Sequence, residues 1–330
     1  LIALASAAAV VGLFFGIKEL VKDPWIKNYA SAVVYVQAAY HYHAVIEDMP
    51  IPKSLWDGEL PVERAKYSQL YTATGFLVDR KGVIATNRHV AVPWEYEKEE
   101  VRTFLLNDAN AERKRALPFT ECNSYADAQK LKEASLVGEA IVTEWWNSGD
   151  HSWANLNAMI ARMLQAKIVL VGEMDFISVG YSDRYYTHSD ELKRCFVIGE
   201  SKTDDKDVAL LQLNEKKTPD EIKYVIDINN KIYEGEIAPL AEELVMIGYP
   251  GTSHSLVENT HSLQPVIRAT RVSMKPDRFS FEYQGESLGG LSGSPIFNPK
   301  NGMLYGVNRG HWPAGATFGK ACKAQFLKEL

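Results

Sequence analysis

Cysteine is scarce: Cys122, Cys195 and Cys322 are the only three in 330 residues. The count is odd and no two stand at a metal-ligand spacing. Neither a disulfide framework nor a cysteine metal site is expected, and at least one thiol is free or pairs with another chain. Positive charge is not in excess either, since 36 Lys and Arg stand against 42 Asp and Glu. With a formal net charge of −6, a nucleic-acid surface has no electrostatic support, and the short run Arg113-Lys114-Arg115 reads as a solvated helix end. Charge is absent altogether from Leu1 to Ile17, after which Lys18, Glu19, Lys22 and Asp23 follow. Seventeen apolar residues sit at the lower limit for a membrane-spanning helix. A signal peptide and a signal anchor both fit, and the lack of a small-x-small cleavage site after the run favours the anchor. Gly12 and Gly16 have the spacing that permits close helix–helix approach, so self-association through this segment is a further expectation.

What is present is a glycine-flanked serine, in Gly289-Gly290-Leu291-Ser292-Gly293-Ser294-Pro295-Ile296-Phe297. A serine hydroxyl attacks a carbonyl only if a base takes its proton and backbone N–H groups hold the oxyanion, and glycines let the backbone come close to a substrate. Upstream, the run from Gly75 to Val90 reads as strand, Lys81-Gly82 turn, and strand, with His89 at the end of the second strand. Further on, Asp207 immediately precedes the apolar run Val208-Ala-Leu-Leu-Gln-Leu213. Asp207 is the carboxylate expected to orient the imidazole, ahead of its neighbours Asp204 and Asp205.

A competing nucleophile is Ser287, in Gly285-Glu286-Ser287-Leu288-Gly289, which matches the Gly-x-Ser-x-Gly elbow of an α/β-hydrolase esterase. That elbow needs an acid and then a histidine downstream, and no Asp or Glu lies between Ser287 and His311. It also needs a helix directly after the serine, where this chain has Gly289, Gly290, Gly293 and Pro295.

The order His89, Asp207, Ser292 with these flanks resembles the trypsin-like (chymotrypsin-fold) serine peptidases, closest in motif to the bacterial HtrA-like and glutamyl-endopeptidase-like branches. Three more segments are similar to theirs: Ser31–Val36 to the first barrel strand, Val245–Gly251 to an Ile-Gly-Tyr-Pro strand, and Gly302–Asn308 to the strand after the nucleophile. The resemblance implies a mainly β fold, with two antiparallel six-stranded β-barrels, a helical insertion and an N-terminal hydrophobic helix. It covers 29–330, with an N-terminal barrel at about 29–215, a C-terminal barrel at about 236–330, and residues 1–22 as the anchor or signal segment. Chain remaining after the second barrel is too short for a downstream PDZ domain, and 319–330 reads as a terminal helix with Phe326 and Leu330 on its apolar face.

The resemblance also implies roles. Ser292 is the nucleophile, His89 the general base and Asp207 its orienting acid, with the N–H groups of Gly290 and Ser292 as the oxyanion hole. Glu286, Asn308 and Arg309 fall where a primary pocket would be lined: Glu286 at its base would select basic residues, and Arg309 would either neutralise it or face an acidic substrate residue. Leu291 stands where relatives carry Asn or Asp. No cofactor and no metal is needed. The partners expected are a protein or peptide substrate and a membrane, with the catalytic domain outside the cytoplasm.

His89 and Asp207 lie 118 positions apart, far more than such a barrel needs, so a segment at about 103–167 is inserted. Ala126, Leu131, Ala134, Leu136 and Val137 give a helical stripe, and Trp153–Ala166 a second helical run. Trp145, Trp146 and Trp153 either pack this hairpin or present a binding surface. His41 and His43 share one side of an extended segment, as a metal pair can, but without a third ligand they read as packed or solvated residues in a long loop. An idle protease-fold scaffold, or a binding module acting through the insert, is the alternative to a peptidase.

Overall fold

The computed structural model describes residues 23–46, 68–96, 99–116, 118–240, 242–251, 262–285, 287–311 and 318–330. Residues 1–22 and Glu286 therefore lie outside the described residues. Among those that are described, no helix is long and apolar enough to cross a membrane.

Among the described residues, twelve strands form two six-stranded sheets. β1 (Val33–Ile46), β2 (Ser68–Leu77), β3 (Val83–Thr86), β4 (Ile168–Tyr181), β5 (Lys193–Glu200) and β6 (Ala209–Leu213) close a barrel in the order β1-β2-β3-β6-β5-β4. β7 (Glu243–Gly248), β8 (Val266–Arg271), β9 (Ser280–Gln284), β10 (Pro295–Phe297), β11 (Leu304–His311) and β12 (Phe318–Lys323) follow the order β8-β7-β10-β11-β12-β9. A bridge between Val272, just past β8, and Tyr283 of β9 draws the ends of this second sheet together. The mainly β architecture with two antiparallel barrel-like sheets is the one expected.

Local chemistry sets the turns. Asp79 Oδ1 accepts from the N–H groups of Lys81 and Val83 at 2.9 and 3.0 Å, and Gly82 has φ +80°. An Asx-type turn of this kind joins β2 to β3 and fixes their register, Phe76 opposite Ala85. The apolar faces then meet inside, with Phe76, Leu77, Ile84 and Leu211 fully buried.

The chain divides into two compact units, one of residues 1–39, 70–93 and 176–330 and one of 40–69 and 94–175. The second is mainly helical. α3 (Glu99–Ala116), α4 (Tyr125–Ala134), α5 (Leu136–Asn147) and α6 (Trp153–Gln165) follow the shorter α1 (Pro24–Ala30) and α2 (Arg88–Ala91) of the first unit. Ser124, Ser135 and Ser152 cap α4, α5 and α6, each hydroxyl accepting from the backbone N–H three residues on. Leu131, Val137, Ile141, Trp145, Leu156 and Ile160 build the core of this unit. Trp145 is buried and donates Nε1–H to Ser152 O at 3.0 Å, whereas Trp146 stays 56% exposed and stacks on His151. Of the two readings of these tryptophans, packing holds for Trp145.

Two expectations are corrected. The first strand does not give way to a loop after Val36 but runs to Ile46, with Ala38, Ala39, Tyr40 and Tyr42 buried. His41 belongs to this strand and pairs with Asp175, Nδ1 to Oδ1 at 2.7 Å, and among the described residues no cluster could hold a metal ion. The C-terminal segment is not one helix: Phe318–Lys323 is a strand on β11 and β9, and only Ala324–Glu329 turns as a short 3₁₀ helix. Phe326 is buried there, but Leu330 is 38% exposed.

Candidate active site

All the residues discussed here belong to the first unit. His89 sits two residues beyond Asn87, whose extended backbone starts the short helix α2, rather than on β3 itself. The helical turn gives His89 an amide as well as a ring to point at one acceptor. Asp207 is that acceptor: Oδ1 takes the His89 backbone N–H at 3.0 Å, and Oδ2 lies 2.9 Å from His89 Nδ1. Asp207 has no exposed surface, and its φ of +23° lies where few non-glycine residues go.

The loop between β5 and β6 keeps Asp207 in that place by polar contacts. Ser201 N–H donates to Val208 O at 2.9 Å, and Asn87 Nδ2 donates to Asp207 O at 2.9 Å. Arg88, 7% exposed, lies with Nη1 2.8 Å from Asp204 Oδ1 and Nε 3.3 Å from Glu200 Oε2. Asp204 is thus spent on Arg88, which leaves Asp207 as the acid on the imidazole.

Ser292 lies in the turn before β10. Two glycines flank it with positive φ, +83° at Gly290 and +86° at Gly293. A Cβ on Gly290 would come within 2.2 Å of Gly251 N, and one on Gly293 within 1.9 Å of Thr74 O. Neither position accepts a side chain, so the motif needs glycine at both for conformation and for space. Thr74 of β2 is the hub on the other side: its N–H donates to Ser292 O at 2.7 Å and its Oγ1 donates to Gly290 O at 2.8 Å. Thr86, three residues before His89, donates Oγ1–H to Thr74 O at 2.8 Å. The serine loop and the histidine turn are therefore tied through two buried threonines.

Leu291, where a polar residue was expected from relatives, is fully buried with Met246, Phe281, Tyr283, Ile296 and Tyr305. It plugs the loop into the second sheet. Its carbonyl accepts from Asn308 Nδ2 at 2.8 Å. Asn308 is itself fully buried, with Nδ2 also 3.0 Å from Ser287 Oγ and Oδ1 accepting from Tyr283 OH at 2.6 Å. Its side chain, expected along a substrate pocket, faces inward and braces the serine loop. Ser287 is equally buried on Asn308, in the segment between β9 and β10 and with no helix after it, which removes the elbow geometry an esterase would need.

Among the described residues the Ser292 hydroxyl donates only a long 3.5 Å contact, to Arg309 O. Among the described residues no acceptor meets the N–H of Gly290 or Ser292. Arg309 turns its guanidinium to Asp207, Nε to Oδ2 at 3.2 Å. Thr74, Asn87 and Arg88 are the residues that sequence reasoning did not single out. Their only signal was position, each within three residues of Thr86 or Gly75.

No family model matches the chain, and no curated protein matches it. Among solved structures the chain is similar to the serine endoprotease from Yersinia pestis, at 12% identity and TM-score 0.43, covering 92% of this chain and 62% of that one. The chain thus spans less than two thirds of that protein's length. It is also similar to the active form of the Rv3671c protease from M. tuberculosis, at 14% identity and TM-score 0.43 over 94% of this chain and 84% of that one. The inactive form of Rv3671c from M. tuberculosis H37Rv matches at 13% identity and TM-score 0.42, over 94% and 89%.

Proposed function

We infer that this chain is a serine endopeptidase in which Ser292, His89 and Asp207 act together. The carrying observation is the double grip of buried Asp207 on His89, through the backbone N–H and through Nδ1. With Nδ1 committed to the carboxylate, Nε2 is the nitrogen that serves as base. In this mechanism His89 takes the Ser292 proton as Oγ attacks the scissile carbonyl, then returns it to the leaving amine. Asp207 holds the ring's tautomer and stabilises the imidazolium. The Gly290 and Ser292 N–H groups, which no acceptor in the described chain occupies, receive the oxyanion. One such donor contributes on the order of 10²–10³ in turnover. Water then hydrolyses the acyl-enzyme by the same proton path.

The uncharged run Leu1–Ile17 supports a second part of the reading, that this segment tethers the catalytic unit to a membrane, while its placement on the extracytoplasmic side rests on the family resemblance alone. A fluorophosphonate probe tests the chemistry. Modification at Ser292 that is lost in His89→Ala is expected, and failure of correctly folded protein to react would overturn the peptidase. Retention in the membrane pellet after alkaline carbonate, lost when residues 1–22 are deleted, tests the tether.

A further inference from the structure

Arg309 is the extra residue of a β-bulge. Asn308 pairs with Ala321 and Gly310 with Lys320, so consecutive positions on β12 face positions two apart on β11. A bulge takes one side chain out of the strand's alternation and re-aims it. Here the neighbour Asn308 is turned into the core, while Arg309 keeps 28% of its side chain exposed. The re-aimed guanidinium uses Nε on Asp207 Oδ2 at 3.2 Å, and its own carbonyl receives the Ser292 hydroxyl. Its two Nη groups meet no acceptor among the described residues. A partly exposed cation thus stands on the acid, carried by a residue whose backbone carbonyl touches the nucleophile.

We propose that Arg309 is a specificity residue that takes a carboxylate of the bound peptide on its two Nη groups while Nε stays on Asp207. This rests on the peptidase reading and adds the substrate's charge to it. A guanidinium presents parallel N–H donors that match a carboxylate in bidentate fashion, and such charge-assisted pairs are among the stronger polar contacts. The same carboxylate also has an electrostatic effect on the triad. With no anion bound, the guanidinium and the imidazolium formed in the reaction both draw on one carboxylate, Asp207. A peptide carboxylate on Nη offsets the guanidinium charge and leaves Asp207 to the imidazolium. The chemistry is that of an acidic side chain or of a free C-terminus.

The experiment compares peptides that differ only in Glu against Gln at successive positions, and in free carboxylate against amide at the C-terminus. Each is titrated on Ser292→Ala protein, and each is also assayed for kcat/KM on the active protein. About tenfold tighter binding of one acidic form is expected. Arg309→Gln brings that ratio to about one, and Arg309→Lys keeps part of it, since charge remains but the fork is lost. The internal ratio is insensitive to any general loss of activity in the variants. Preference for internal Glu assigns the side chain, and preference for the free terminus assigns the terminal carboxylate. Ratios near one in the parent protein, or ratios that Arg309→Gln leaves unchanged, overturn the proposal. Ser292 labelling that persists alongside such flat ratios leaves the peptidase standing and removes only the role of Arg309.

Discussion

The loop that carries Ser292 and the loop that carries Asp207 are fixed by different chemistry. The serine loop hangs on a buried leucine and a buried amide: Leu291 fills the second sheet's core, and Asn308 ties the Leu291 carbonyl to Tyr283 and Ser287. Its two flanking glycines contribute shape and no side chain. The acid loop, by contrast, is held by ion pairs and side-chain hydrogen bonds, from Arg88, Asn87 and the His89 amide. Apolar anchoring leaves the Gly290 and Ser292 N–H groups of the first loop without an acceptor among the described residues. Polar anchoring suits the second, whose buried carboxylate would be expensive to leave without partners.

The difference predicts that the two loops fail in different ways. Asp207→Asn should leave the fold intact while turnover falls by on the order of 10⁴, because the amide no longer selects the right imidazole tautomer. Single-turnover kinetics beside a thermal melt separates the two effects, and a large loss of stability would mean that the acid loop is anchored through this carboxylate after all. Leu291→Ala inverts the pattern. Removing a fully buried leucine from a packed core costs about 3 kcal/mol, and urea unfolding should show it. Arg88→Met is the smaller probe of the acid loop. The partners Glu200 and Asp204 are 35% and 69% exposed, so screening limits the loss to about 1 kcal/mol, with activity falling more than stability.

Much of this arrangement could be read before any coordinates. Ser292 between glycines, His89 after a Lys-Gly hairpin and Asp207 ahead of an apolar strand are short-range patterns; Ser292 falls in the turn before β10 and Asp207 just ahead of β6, whereas His89 sits on α2 and not at the end of β3. What escaped was decided by register and direction. Asn308 and Arg309 are adjacent in sequence, yet a bulge turns one into the core and the other to Asp207, and nothing local marks the bulge. Tyr40 and Tyr42 lie in a stretch whose histidines suggested a loop, but their rings pack edge to face at 5.8 Å inside a continued strand. The Ala- and Lys-containing terminus favoured a helix by propensity, and pairing of Ala321 and Cys322 with β9 and β11 overrode it.

Cys322 joins the two sides of the comparison, because it lies on β12 in the second sheet while its thiol donates to Asp205 O of the acid loop at 3.4 Å. Burial first, and then the Asp207 charge, push this thiol up to about 12 against the opposing pull of Arg309. A thiol that titrates higher folded than unfolded keeps its proton in the native state after the unfolded chain has lost it. The native state then binds more protons, so its contribution to stability is complete below about 9 and is lost as pH climbs toward about 12. Urea unfolding of the parent protein and of Cys322→Ala at pH 8, 9, 10 and 11 should show their stability difference moving against the parent at the alkaline end. At pH 8 a thiol so placed carries roughly a thousandth of the thiolate of an ordinary cysteine, so iodoacetamide should spare Cys322 until the acid loop opens. Loosening that loop with Arg88→Met should speed the alkylation, whereas loosening the serine loop should do so only through global unfolding. Equal acceleration by both would erase the distinction between the two anchors.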